Sequence, residues 1–189
     1  MKVGIILRIL VLLALTPALC SATIIDFYTD GTIGDGDVYA AVNVWATSVV
    51  EMSGGTAYAV NLNNSSVFTM YDGDIRFVDL GDDTTINVYG GEVGYGGLNV
   101  SGSASANLYG GTYSYHIVAA ESGAVHIYGY DFELAGSYLS GFWADGTRFD
   151  DIYLRGPGTY ERVTFHIIPE PATLWLLALG GLLFRNRRK

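Results

Sequence analysis

The side chains best suited to chemistry in this chain are few. His116, His126 and His166 are its only imidazoles, and Cys20 is its only thiol. A zinc-type centre draws on Cys and His at short fixed spacings. Only His116 and His126 lie near enough along the chain for adjacent turns to share an ion, and no ligand spacing supports that pairing. The three are therefore expected as surface histidines, with no metal. Asp72, Asp74, Asp79, Asp82 and Asp83 crowd one stretch, and Asp30, Asp35 and Asp37 another. Closely spaced aspartates in Gly-rich turns offer the hard oxygen ligands that calcium takes, Asp72, Asp74 and Asp79 foremost. Neither stretch has the spacing of an EF-hand or of the calcium-binding nonapeptide, so solvated acidic turns are expected, with calcium as the alternative cofactor. No nucleophile elbow, phosphate-cradling loop or helix-borne zinc motif is present.

The one chemical group that recurs on a schedule is a phenol. Tyr71, Tyr89, Tyr109 and Tyr128 follow one another at intervals of 18, 20 and 19 residues. Each closes a short alternating segment that ends in glycine: Thr85-Ile86-Asn87-Val88-Tyr89-Gly90-Gly91 is repeated as Ser105-Ala106-Asn107-Leu108-Tyr109-Gly110-Gly111. Related copies begin at Val49, Val67 and Ala124. A second element keeps step as Val42-Asn43-Val44, Val60-Asn61-Leu62, Val78-Asp79-Leu80 and Leu98-Asn99-Val100, spaced 18, 18 and 20 residues apart.

Something must hold these segments in register. Alternation of apolar and polar residues at period 2 marks a strand with one buried face. Phe68, Ile86, Ala106 and Val125 are predicted to point inward, as are Met70, Val88, Leu108 and Ile127. Thr69, Asn87, Asn107 and His126 point outward, and by the same parity so do the four tyrosines. A period of 18–20 residues is too short for a helical hairpin repeat. The fold class that follows is all-β: a short parallel β-solenoid of about five coils between Gly36 and Tyr130. Residues 131–168 break the repeat, with strand-like stretches at Tyr138–Ala144 and Tyr160–Ile167 and a turn at Asp145-Gly146. They are read as a C-terminal cap, and Thr23–Gly36 as cover for the other end. Coils stacked at about 4.8 Å would set the four phenols in a column. Such a strip suits contact with sugar rings, although mutual stacking of the rings is the plainer reading.

Charge sharpens what partners are excluded. The formal charge is −9, yet residues 23–168 hold four arginines and no lysine against 18 carboxylates, a net of −14. A body so acidic repels phosphate backbones, which argues against nucleic acid. The basic residues gather at the two ends. Met1–Ala22 has Lys2 and Arg8 ahead of the apolar run Ile9–Leu15, then Pro17 and small residues, the layout of a secretory signal for signal peptidase. Cleavage after Cys20 or after Ala22 both fit, the latter better, and either removes the only cysteine. At the other end Pro169-Glu170-Pro171 leads into the apolar run Ala172–Phe184 and then Arg185, Arg187, Arg188 and Lys189. The run is short for a membrane span, but the basic cluster fits a positive-inside stop.

That order of Pro-Glu-Pro, short apolar helix and arginine-rich end resembles the PEP-CTERM sorting signal of Gram-negative bacteria. The resemblance covers the last 21 residues. It implies transient anchoring in the inner membrane by a C-terminal transmembrane helix, processing near Pro169–Pro171 by an exosortase, and a link to exopolysaccharide or biofilm matrix. Gly-Gly, Tyr-rich arrays also precede such signals in other exported proteins. The organisation expected is a signal peptide over 1–22, an extracytoplasmic solenoid with cap over 23–168, and a sorting signal over 169–189. The function expected is that of a non-enzymatic structural or adhesive protein, exported to the cell surface or matrix. Two alternatives stand beside it. One is a polysaccharide-active β-helix enzyme, which would need clustered carboxylates, a basic group and long loops that this array lacks. The other is a plain membrane-anchored envelope protein.

Overall fold

The computed structural model describes residues 23–169. Its strands stack on themselves as a 14-stranded sheet wound into about six turns, the β-solenoid that the repeat predicts. The strands are β1 (Thr23–Phe27), β2 (Gly31–Ile33), β3 (Val38–Val44), β4 (Val49–Leu62), β5 (Val67–Leu80), β6 (Thr85–Val88), β7 (Glu92–Val100) and β8 (Ser105–Leu108). β9 (Thr112–Tyr113), β10 (His116–Ala119), β11 (Ala124–Ala135), β12 (Tyr138–Trp143), β13 (Arg148–Leu154), the one-turn helix α1 (Pro157–Tyr160) and β14 (Val163–Ile167) follow.

Pairing between turns is parallel and follows the sequence repeat. Val67 to Met70 pair with Thr85 to Val88, which pair in turn with Ser105 to Leu108. On the second strand stretch Val60 pairs with Val78, Val78 with Leu98 and Leu98 with Ile117. Equivalent apolar residues therefore lie on top of one another. Met52, Met70, Val88, Leu108 and Ile127 form one buried column and Val50, Phe68, Ile86, Ala106 and Val125 another, as their alternation requires. The lengthened interval has a local cause. Ile75 pairs with Val93 but Phe77 with Gly97, so the two extra residues of that turn are spent in a bulge at Gly94–Gly96.

Each corner between the two strand stretches needs a residue of positive φ. Gly91 has φ +79°, and a Cβ built there would lie 2.5 Å from the carbonyl oxygen of Gly73 in the turn below. Glycine is required by both conformation and stacking distance. At the opposite corner the left-handed positions are Ala46, Asn64, Asp82, Gly102 and Glu121. Their side chains bind the turns together: the Asn64 Oδ1 accepts from the Ala46 N–H, Asp82 Oδ2 from the Asn64 N–H, and Glu121 Oε2 from the Gly102 N–H.

The N-terminal expectation is corrected, and the strand-rich C-terminal cap is present with further pairing to the coil. Thr23–Gly36 is no separate cover, because β1 pairs with β3 and β2 with β4 in parallel, so the segment is itself a turn of the coil. The C-terminal segment does leave the repeat, through antiparallel β12 and β13, but it then rejoins the stack. Tyr153 and Leu154 of β13 pair with His116 and Ile117, and β14 pairs in parallel with β11. These additions raise the count from five coils to about six. Trp143, Phe149, Ile152 and Leu154 bury there against the last repeat. The expected N-terminal signal helix and C-terminal transmembrane helix fall outside the described residues. No helix among those described is long and apolar enough to cross a membrane.

Candidate functional site

The outward parity of the tyrosines follows directly from the pairing of β5, β6, β8 and β11. Tyr71 and Tyr89 are each about half exposed, at 50% and 49%. Their ring centroids lie 5.4 Å apart, those of Tyr89 and Tyr109 4.7 Å, and those of Tyr109 and Tyr128 4.3 Å. The planes tilt by only 15°, 6° and 18° from pair to pair. A fifth ring continues the column: His166 of β14 stacks on Tyr128 at 4.3 Å and 9°. Burial pushes the Tyr109 phenol up to about 12, with help from its hydrogen bond to Tyr128 and from the flanking phenols. It stays a neutral hydrogen-bonding hydroxyl at any physiological pH.

Beside the rings runs a polar column, Thr69, Asn87, Asn107, His126 and Thr164, paired rung by rung. The Asn107 amide donates to the Asn87 Oδ1 at 3.0 Å, and the same device joins Asn61 to Asn43 at 2.8 Å on the second strand stretch. His126 and His166 meet across β11 and β14, with Nδ1 of the first 3.1 Å from Nε2 of the second. Burial, and then the neighbouring His166, holds the His126 imidazole below the ordinary histidine range. Because the broad faces of Tyr89, Tyr109 and Tyr128 are covered by their neighbours, this surface offers ring edges, hydroxyls and amides to a ligand.

Next to the column, a groove of about 370 Å³ runs between the Gly90-Gly91 and Gly110-Gly111 corners and the β12–β13 hairpin. Tyr89 and Thr112 line one wall and Asp145, Arg148 and Asp150 the other. Its charges are already engaged. Arg148 donates from Nε and Nη2 to the Asp150 carboxylate at 2.8–3.0 Å, which holds that carboxyl below its usual range. Asp145 Oδ1 accepts from the Thr147 N–H. On another part of the surface, Arg76 lies over the ring of exposed Tyr58 at 5.4 Å, with exposed Tyr95 nearby.

The remaining candidates are not brought together. Asp72 and Asp74 are exposed beside the tyrosine corner, whereas Asp79 sits in the Asn61 and Asn99 column of the second strand stretch. Among the described residues no three His, Cys, Asp or Glu converge on a common point. Asp72 instead accepts from the Gly73 N–H, and Asp30 from the Val49 N–H. His116 is not a surface histidine. It opens β10 between β7 and β13, is only 7% exposed, and its Nδ1 has no hydrogen-bond partner. Burial, and secondarily Arg155, keeps this ring below the usual range. Nor does His126 partner His116. Its partner is His166, which the repeat reading missed although Val163-Thr164-Phe165-His166 copies the alternation of Val125-His126-Ile127-Tyr128. Pro169 is exposed, and Glu170, Pro171, Arg185, Arg187, Arg188 and Lys189 lie outside the described residues.

Comparison with protein families matches residues 168–189 to the PEP-CTERM protein-sorting motif. No curated protein and no solved structure gives a match. The motif implies export through an exosortase system and processing at a bacterial membrane.

Proposed function

We propose that this chain, carrying a sorting motif for exosortase-dependent export, is a non-enzymatic structural or adhesive protein of the cell surface or extracellular matrix. On this reading Met1–Ala22 is removed by signal peptidase, and the C-terminal helix anchors the chain transiently in the inner membrane. The solenoid then meets exopolysaccharide. The observation that carries the proposal is the ribbon of stacked Tyr71, Tyr89, Tyr109 and Tyr128 with its parallel column of amides. A rigid array of hydroxyls and amides at strand spacing is suited to hydrogen-bonding an extended polysaccharide. The stacking also stiffens the rod, so the ribbon is scaffold first and contact surface second. A non-enzymatic role is supported by the groove, where Asp145 and Asp150 are each tied to a donor and Arg148 holds the Asp150 carboxyl below its usual range.

The test is the double substitution Tyr89→Ala and Tyr109→Ala, assayed by co-sedimentation with the exopolysaccharide of the producing bacterium. Loss of co-sedimentation in a variant that keeps its circular dichroism spectrum is expected. Retained co-sedimentation with a lowered melting temperature would leave the tyrosines as scaffold alone. Sugar cleavage by the purified protein would favour the enzyme. An intact C-terminus in surface fractions, seen by mass spectrometry, would favour the plain anchor.

A further inference from the structure

We infer that His126 and His166 form a binding site for one borderline divalent metal ion, copper(II) or zinc, at the C-terminal end of the tyrosine column. The argument is geometric. Metal–imidazole bonds of about 2.0–2.1 Å place two nitrogens about 2.9 Å apart at a right angle and about 3.4 Å apart at the tetrahedral angle. The observed separation of Nδ1 and Nε2 is 3.1 Å, inside that window. The two nitrogens already point at each other's position, sharing one proton as a hydrogen bond. A metal ion displaces that proton when the donor ring moves it to its other nitrogen and the rings turn so that both lone pairs meet off the line between the nitrogens. Bonds of about 2.0–2.1 Å require that turn, and the pair undergoes no net change in protonation.

The site is held by rigid elements. His126 lies within the parallel ladder of β11 and β14, where Ile127 pairs with Phe165 and Tyr128 with His166. The His166 ring is further fixed by its stack on Tyr128. Side chains locked this way lose little freedom on binding. Both rings are only part-buried, and solvent completes the coordination shell. Imidazole ligands with open positions suit copper(II) and zinc, with copper(II) bound more tightly by the usual order of affinities.

The full-length chain, titrated with copper(II) and separately with zinc, tests the assignment by calorimetry. Binding of one ion per chain is expected, with electron paramagnetic resonance showing two imidazole nitrogens on copper(II). His126→Gln and His166→Gln should each weaken binding by at least roughly tenfold, since even outer-shell changes cost roughly 10–100-fold. His116→Gln, buried elsewhere, should leave binding unchanged. Zinc should shift the imidazole C–H proton resonances of His126 and His166 together in the unaltered chain, a reading that needs no variant to fold. Binding that survives either glutamine substitution, a single-nitrogen spectrum, or imidazole resonances indifferent to zinc would overturn the site.

Discussion

The repeat body and the C-terminal excursion solve the same problem with different means. Between β4 and β8 each turn buries two short apolar columns against identical positions of the next turn, and nearly all pairing is parallel. From β11 onward the chain doubles back as antiparallel hairpins and fills the space with aromatic rings. Trp143 meets Phe149 at 4.3 Å, Phe132 meets Phe165 at 5.0 Å, and Tyr130 stacks on Phe142 at 5.3 Å. A repeat can reuse one solution because translation by one coil restores every neighbour. At the end of the stack β14 repeats the alternation of β11 and covers part of the last coil, and the rest is covered by residues that match nothing upstream. The aromatic cluster supplies that cover with large side chains on few residues.

The largest expected effect probes the middle of the stack. Val88→Asp puts an unpaired carboxylate in a column where the native side chain is 1% exposed, and should cost about 5 kcal/mol or more. Asn87→Asp, one residue away on the outer face, should change stability far less, and chemical denaturation of the two variants checks the contrast. If both melt alike, the inward and outward faces have been exchanged. Trp143→Ala should cost about 3–5 kcal/mol, but as an end effect. Hydrogen exchange is then expected to speed up first in β12, β13 and β14 while β5 to β8 stay protected. Uniform loss of protection would mean that the excursion and the body fold as one unit.

A smaller contrast compares two glycines of positive φ. Gly91→Ala, at φ +79° with the Gly73 carbonyl 2.5 Å from the added carbon, should cost about 2–3 kcal/mol. Gly136→Ala, at φ +66° with open space around it in the hairpin between β11 and β12, should cost about 1 kcal/mol. Thermal melts that rank them the other way would deny that the corner is packed against the turn below. The smallest effect concerns acid. His116 titrates below its unfolded value because burial disfavours its charged form. The unfolded chain therefore takes up its proton first, and stability present above about pH 6.5 is lost as pH falls below it. His116→Gln should flatten that part of the stability–pH curve relative to the native chain, as followed by melting at pH 7.5 and below.

Much of this architecture was legible because it is local and repeated. The alternation around Met70, Val88 and Leu108 identified the buried face, and the interval between tyrosines identified the stack. The terminal segments were under-read for opposite reasons. Thr23–Gly36 contains a turn of coil whose two strands, of five and three residues, are too short to display the repeat. Val163–Ile167 does carry the alternation, but the antiparallel excursion between it and β11 stretches the interval from about 19 residues to 38, from Tyr128 to His166. The partners of the acidic turns were also hidden in the sequence. Asp82 accepts the Asn64 N–H and Asp30 the Val49 N–H, contacts between turns that the sequence does not display.

The sequence by itself determined the all-β stack, the outward tyrosine column and the sorting motif at the C-terminal end. Each depends on period, parity or contiguous residues, and these survive without any knowledge of which distant segments meet. Tertiary structure alone decided that His166 ends the tyrosine column, that it meets His126 rather than leaving that ring to His116, and that His116 is buried. Those contacts join residues up to 40 positions apart across a break in the repeat. There the closing of a loop, rather than the translation of one coil onto the next, selects the neighbours.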